Sequence, residues 1–503
     1  MPWTLLGRTL GRAAFLVRRD HSLGNLLERL AGIHGDRRLV TEPRGLQLTY
    51  RQAAKRVARW AGGIAERIEP GDVVVIATPN GYEQLLLCLA VARAGGIPAP
   101  LNDAMRPDEI AHVIADSGAA LTVRSPHEVD GSPPLRQAAG AAGGDVAALF
   151  YTSGTTGRPK GAALTHAGIL GPLRPGVAFP AELRHDEAVI SLPVAHIMGF
   201  VTLLGLASAG VATWFSPRFH AEEVLDAIEQ RRASVFIGVP AMYRLLLEAG
   251  AEERDLGSVR IWGSGADVMP PDVARRFKRL GATIRLPFLG DVGEATFAEG
   301  YGLVETAGGV AAKVSPPFLR TGTGASVGIP LRGYRLRVVD EEGCDITDGE
   351  TGELLVKGPG LLAGYWHDDE ATRAVLDEEG WLHTGDLARR GPFGTVTFAG
   401  RSKDVIMRGG FSVHAVEVEA VLEAHPDVLE AAVVPLPDER LGEVPGAAVR
   451  LVPGVSLDEA ALDAHAREHL AHYKVPVRYV AVDELPRTGT RKVQRREVVA
   501  LLT

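Results

Sequence analysis

Cysteine is nearly absent: the 503 residues hold two, Cys88 and Cys344. Two cysteines build neither a disulfide scaffold nor a Cys-based zinc cluster, and their scarcity fits a reducing cytoplasm. No run approaches the ~18 consecutive apolar residues of a membrane span. A basic surface is lacking too. Lys+Arg number 54 against 62 Asp+Glu, a net charge of −8, which argues against general nucleic-acid binding. A locally positive pocket for a small anion remains compatible with that balance. Lysine itself is scarce, eight of the 54 basic residues. A lysine inside a Gly-rich turn therefore marks a place that needs a compact, flexible charge rather than a guanidinium.

What is present suffices for packed domains. Hydrophobic residues make up 46% and charged residues 23%, which excludes disorder as the main state. The length suggests two to four domains. In the N-terminal MPWTLLGRTLGRAAFLVRRD, Arg8 and Arg12 break the unbroken apolar run a signal peptide needs. The segment reads as a surface helix packed on its own domain, with weak membrane-surface contact of an amphipathic helix as the alternative.

From Leu48 to about Leu286, β-rich runs alternate with helical periods. Strands are expected at Asp72–Ala77, Ala188–Leu192 and Ser234–Val239, and helices at Glu83–Arg93, Glu222–Arg231 and Pro240–Glu248. Such β-α-β repetition predicts a mostly parallel sheet with helices on its faces. Residues 123–144 interrupt it with prolines and an Ala/Gly run, a loop signal. After about Ser326, short strands at Tyr334–Val339, Glu353–Lys357 and Thr395–Ala399 suggest an antiparallel, barrel-like subdomain. From Val416 an α+β pattern follows, long enough for a small domain. The expected fold is thus α/β. Residues 1–400 form a large N-terminal domain, 401–410 a hinge region, and 411–503 a small mobile α+β domain.

The strongest chemical signal is YTSGTTGRPKG, Tyr151–Gly161. An apolar strand, Val146–Phe150, precedes it. Thr152, Ser153, Thr155 and Thr156 supply hydroxyls, Gly154 and Gly157 let backbone N–H groups approach an anion, and Lys160 adds charge. No Gly-Lys-Ser/Thr closes it, so it is not a Walker loop. Phosphate binding and a plain polar hairpin turn are the two readings open to composition alone.

This segment resembles the phosphate-binding signature of the adenylate-forming enzymes, which include acyl-CoA synthetases, luciferases and peptide-synthetase adenylation domains. Further strings follow in that family's order: GDVVVIATPN (71–80), AGGIPAPLN (94–102), LPVAHIMG (192–199), YGLVET (301–306), GELLVKGPGLLAGYW (352–366), WLHTGD (381–386), GRSKDVIMRGG (400–410) and PRTGTRKVQR (486–495). The resemblance covers nearly the whole chain. It implies a two-step reaction in which ATP and a carboxylate give acyl-AMP and pyrophosphate, and a thiol, usually coenzyme A, then takes the acyl group. The first step brings two anions together, which repel at about 4 Å by roughly 1 kcal/mol in water and roughly 4 at an effective dielectric near 20. Fixed cations and donors are needed.

By the same resemblance, Tyr301 stacks on adenine beside Gly302, and Glu305 binds Mg2+. Asp386 accepts from the ribose hydroxyls with Arg401 beside it. Lys492 is the mobile catalytic lysine, Lys403 the hinge, and His196, Gly199 and Phe200 border the acyl pocket. Three residues depart from the family's pattern. Val304 stands for a Thr, Arg491 for a Gly and Ala415 for a Pro.

No aspartate lies between Leu192 and Phe200 to hold an amino group, and no Ser-bearing carrier module follows within the 503 residues. Both speak against a peptide-synthetase role. The favoured expectation is a cytoplasmic acyl-CoA ligase for a fatty or other hydrophobic acid, using ATP, Mg2+ and coenzyme A. Its rivals are an acyl-AMP ligase loading a carrier protein and a catalytically weakened nucleotide-binding regulator, for which Val304 and Arg491 would speak.

Overall fold

The structure, a computed structural model, describes residues 11–18, 20–43, 45–103, 105–153, 158–178, 186–319, 325–487 and 493–503. The chain divides into two compact units. The first comprises Met1–Arg335 with Lys357–Leu382, the second Leu336–Val356 with His383–Thr503. The sequence puts the boundary near Gly400–Gly410, where charged residues meet a Gly pair. Packing instead groups the strand pair that ends at Arg401 with the C-terminal segment.

In the first unit the β-α-β rhythm becomes a nine-stranded sheet. Its spatial order is Ile329–Pro330, Gly308–Ser315, Thr296–Leu303, Ile261–Gly265, Val235–Gly238, Glu187–Ile190, Ala212–Phe215, Arg38–Thr41, Gln47–Thr49. The six strands from Thr296–Leu303 to Arg38–Thr41 pair in parallel, and the flanking strands are antiparallel. Six parallel neighbours send their C-terminal ends to one edge, where open α/β sheets form their sites. Helices cover the faces. Pro240–Glu248 starts on Pro at its first position, which fits the proline's fixed φ. Tyr243 of that helix is fully buried among Phe236, Trp262, Phe277 and Phe297.

A smaller parallel sheet, Ile97–Pro100, Val73–Ile76 and Leu121–Val123, shares an apolar cluster with Leu149 and Ala163 of an antiparallel pair, Val146–Ser153 and Pro159–Thr165. The expected loop after Val123 has one 3-10 turn, Pro126–Val129, and is otherwise irregular. It is pinned rather than loose. Gly62 and Gly63 let the Val129 and Pro133 carbonyls approach the helix Tyr50–Ala65 too closely for any Cβ, and Arg93 donates to the Leu135 and Arg136 carbonyls. Near the N-terminus, residues 11–17 are helical, and Phe15 is buried against the His21 ring at 3.9 Å.

In the second unit a four-stranded sheet runs Arg335–Val339, Thr351–Lys357, Leu382–Arg390, Val396–Arg401. A five-stranded sheet follows, in which Gly442–Leu451 is central and pairs along its length with the antiparallel strand Val428–Asp438. One face packs on helices Ala415–Glu423 and Glu459–His469 through Val418, Leu422, Leu462 and Val449. The other meets the helix Arg495–Leu502 through Val498 and Leu502. Ala415 opens its helix, 3% exposed. A proline would suit that first helical position equally, so this departure leaves the helix start intact.

Candidate active site

The loop Gly154–Gly157 and the residues Arg491 and Lys492 lie outside the described residues, as does the Ser153 side chain. What flanks the loop is clear. Val146–Ser153 and Pro159–Thr165 pair so that Thr152 faces Lys160 and Ser153 faces Pro159. An antiparallel pair thus sets Thr152 and Lys160 opposite each other on the two sides of the segment 154–157, a pairing compatible with either reading.

Lys160 is the hub of a network from three chain segments. Its Nζ lies 3.1 Å from Asp368 Oδ2 and 5.7 Å from the centre of the Tyr365 ring. Tyr365 Oη donates to Glu305 Oε1 at 2.9 Å. The two-residue strand Gly364–Tyr365 pairs with Ala162 and Ala163, and Trp366 N donates to the Gly161 carbonyl at 2.7 Å. The register next to Lys160 therefore sets where Tyr365 stands. Burial, and secondly the Glu305 carboxylate, push the Tyr365 phenol well above its ordinary value, so it stays a proton donor. Asp368 caps the helix Asp369–Val375 through Ala371 N at 2.8 Å. That amide, and then Lys160, hold its carboxyl below the usual range.

Tyr301 and Gly302 end the strand Thr296–Leu303 at the same sheet edge. Tyr301 is half-buried, and space beside Gly300 is open. A side chain at Gly302 would collide with the Gly308 carbonyl, so the strand can turn closely only there. The turn Val304–Thr306 follows. The buried Thr306 hydroxyl closes it, taking the Leu303 amide and donating to the Gly308 carbonyl at 2.8 Å. This turn presents Glu305, while Val304 packs half-buried against the main core.

His196 is the N-cap of the helix Ile197–Ala209, its Nδ1 accepting from Met198 N at 3.3 Å. Gly199 permits the Pro193 carbonyl to approach where no Cβ fits. Phe200 is fully buried edge-on against Phe150 at 5.1 Å, so its ring lies in the core behind the helix. Met198 and Val201 of this helix are half-buried; Met198 reaches Gly265, and Val201 reaches Gly308.

In the second unit Asp386 and Arg401 stand opposite each other on paired strands, with Arg401 Nε 2.9 Å from Asp386 Oδ1. Asp386 is 2% exposed. Gly385, at φ +66°, turns the chain before it, and Glu353 fixes that turn by accepting from Gly385 N at 3.0 Å and facing His383 Nδ1 at 2.9 Å. Lys403 is exposed in the 3-10 turn Ser402–Asp404, inside this unit. Tyr365, Asp368 and Glu353 received no role from the sequence. Each sits in or beside a quoted motif, but its part depends on pairing between distant segments.

The fit to Mg2+ rests on donor chemistry. Among the described residues no cluster of three or more His, Cys, Asp or Glu could hold a metal. A single oriented carboxylate, Glu305, suits a hard cation that takes its remaining ligands from phosphates and water. Also among the described residues, no helix is long and apolar enough to cross a membrane.

Comparison with known proteins agrees with this geometry. The profile of the AMP-binding enzymes matches residues 27–366, and that of the AMP-binding enzyme C-terminal domain matches 417–492. Feruloyl-CoA synthase from an Amycolatopsis species is 34% identical, over 90% of this chain and 94% of its own length. Indoleacetate–CoA ligase from Aromatoleum aromaticum is 30% identical, over 95% and 98%. The crystal structure of ATP-bound MatB from Rhodopseudomonas palustris superimposes with a TM-score of 0.83 at 30% identity, covering 95% of this chain and 98% of that one. The chain belongs to the AMP-binding enzymes, as an AMP-forming acid–thiol ligase that uses ATP, Mg2+ and coenzyme A.

Proposed function

We propose that the acid is hydrophobic, with aromatic acids ahead of fatty acids, and that Lys160, Tyr365 and Glu305 form the phosphate side of its activation site. The observation that carries the site assignment is the continuous path Lys160–Tyr365–Glu305, which joins two motifs far apart in the chain. The acid preference is supported by the apolar side chains Met198 and Val201 and by the names of the relatives, which act on ferulate and indoleacetate.

In the first step a carboxylate oxygen attacks the α-phosphorus, and the bond to the leaving pyrophosphate breaks. In the second the thiol sulfur attacks the acyl carbon, and AMP leaves with the bonding pair. Lys160 and the loop donors neutralise the leaving phosphates. Glu305 would hold Mg2+, which supplies further positive charge there. Tyr365 orients that carboxylate. Asp386 and Arg401 fix the ribose, and Lys492 bridges carboxylate and α-phosphate. Lys403 serves as the pivot that lets the C-terminal segment serve both steps. The expected location is the cytoplasm.

Pyrophosphate exchange with ferulate, indoleacetate, octanoate, palmitate and malonate tests the reading, followed by coenzyme A thioester formation. Turnover highest with an aryl acid supports it, and turnover confined to malonate overturns the hydrophobic assignment. Acyl-AMP formation without transfer to coenzyme A would point to a carrier protein as acceptor.

A further inference from the structure

At the end of the main sheet opposite the site, the chain leaves the helix Pro271–Leu280 and forms a hairpin, Ile284–Leu286 paired with Gly290–Val292. The strand Thr296–Leu303 then carries the chain to Glu305, so about 23 Å of extended backbone separates the hairpin's foot from the site. The hairpin is apolar where it should be polar. Phe288 and Leu289 at its tip are exposed, Phe288 completely, and Ile284 and Val292, paired at its foot, are exposed as well. Phe318 rests against Gly293 at the hairpin's foot, and both it and Leu319 are exposed, extending the surface. Single exposed apolar residues need no explanation, but a contiguous group does. Phe288 also holds φ +68°, a conformation that bulky residues rarely adopt and that turns normally give to Gly or Asn.

The surroundings are cationic. Arg275 and Arg279 lie one helical turn apart on the exposed face of the preceding helix, and Arg285 is exposed on the hairpin itself. Asp272 is exposed on the same helix, while the other carboxylates nearby are engaged within the fold. Arg276 clasps Glu252 at 2.7 Å, and Arg232 and Arg260 hold Asp291, opposite Arg285, at 2.6 and 2.8 Å. Glu294 takes the Phe318 amide and faces Lys278. Lys278, itself buried, donates to the Pro316 and Leu319 carbonyls and so fixes the segment that carries Phe318.

We propose that this hairpin and its arginines dock the enzyme on an anionic lipid bilayer. Protruding aromatic and aliphatic side chains beside exposed guanidinium groups match a surface that offers headgroup phosphates above an apolar interior. A second copy of the chain fits less well. A twofold contact pairs the same patch with itself and would bring these arginines together.

The test is co-sedimentation of the full chain with vesicles of phosphatidylcholine alone and with phosphatidylglycerol added. Binding is expected only to the anionic vesicles and should weaken as salt rises. Phe288→Ser with Leu289→Ser should reduce it about tenfold or more, as should Arg275→Glu, Arg279→Glu and Arg285→Glu together. Pyrophosphate exchange and the melting temperature of both variants should match the parent, showing that fold and site are intact. Absence of anionic-vesicle binding overturns the proposal. So does binding that survives both variants, which would assign it elsewhere, for instance to the N-terminal segment. Dimers in sedimentation velocity that the Phe288/Leu289 variant dissolves would also overturn it, making the patch a contact between copies.

Discussion

Two ion pairs, one in each unit, are built in opposite ways. Lys160 and Asp368 meet at 3.1 Å with their side chains 29% and 38% exposed. Arg401 and Asp386 meet at 2.9 Å with the carboxylate 2% exposed. The first pair stands in water, where charges are screened and contribute little. Asp368 does not depend on it, because the Ala371 amide is the larger influence on its carboxyl. Lys160 can therefore leave Asp368 for a phosphate at small cost. The second pair cannot be exchanged without stranding a buried charge. Under the roles proposed above, the group that would catch a leaving phosphate is the one held loosely, and the group that would mark a fixed position for the sugar is the one held tightly.

The largest effect is expected from a third cation, one that the family resemblance assigns. Lys492, assigned to the transition state, should cost about 10²-fold or more in adenylate formation when changed to Ala. Thioester formation from supplied acyl-AMP should be spared. Equal loss in both half-reactions would remove the assignment. Next in size, Arg401→Ala leaves Asp386 buried without its cation and should cost about 3 kcal/mol of stability. Urea denaturation measures this, and Arg401→Lys should recover part of it. An Arg401→Ala protein as stable as the parent would mean that the Asp386 carboxylate is satisfied by its other neighbours.

These pairs also show what could be read from the chain before folding it. Asp386, Arg401 and Lys160 stand in dense motifs, and the main elements were legible to within a few residues. Pro240–Glu248 agrees at both ends, and the expected strand Asp72–Ala77 is Val73–Ile76. Strong apolar periods and Pro or Gly punctuation explain that success. Asp368 and Tyr365 were not legible as site residues. A two-residue strand has no period, and its partner at Ala162–Ala163 is set by tertiary pairing. The side that Phe200 faces was not legible for a related reason. The helix Ile197–Ala209 is apolar nearly all round, so its sequence does not tell which side faces a pocket and which, with Phe200, faces Phe150. The hairpin at 284–292 has strands of three residues, too short for an alternating pattern to stand out.

Loose holding of Lys160 has its own consequence. Lys160→Met should raise the KM for ATP about tenfold, the scale of one charged contact to phosphate. Asp368→Asn should leave KM nearly unchanged, because asparagine still caps the helix and the lysine is merely released early. A large rise in KM for Asp368→Asn would show that the pair positions Lys160 and is not simply a resting place.

The smallest loss of activity is expected one bond further on, at Tyr365. Its hydroxyl donates to Glu305 Oε1, and its ring stands under Lys160. Phenylalanine keeps the ring and removes only the hydroxyl. A hydrogen bond to a charged group contributes about 1.5–3 kcal/mol at most, but Glu305 is half-buried and water can replace the donor. The loss should therefore fall below the lower figure, about five- to tenfold in adenylate formation. Because the tyrosine acts through Glu305, the loss should shrink as Mg2+ is raised, while the KM for the acid stays put. Tyr365→Leu removes the ring as well and should add a rise in the KM for ATP of the kind seen with Lys160→Met. If Tyr365→Phe is insensitive to Mg2+, the hydroxyl does not position Glu305, and the path from Lys160 to Glu305 is packing without consequence for catalysis.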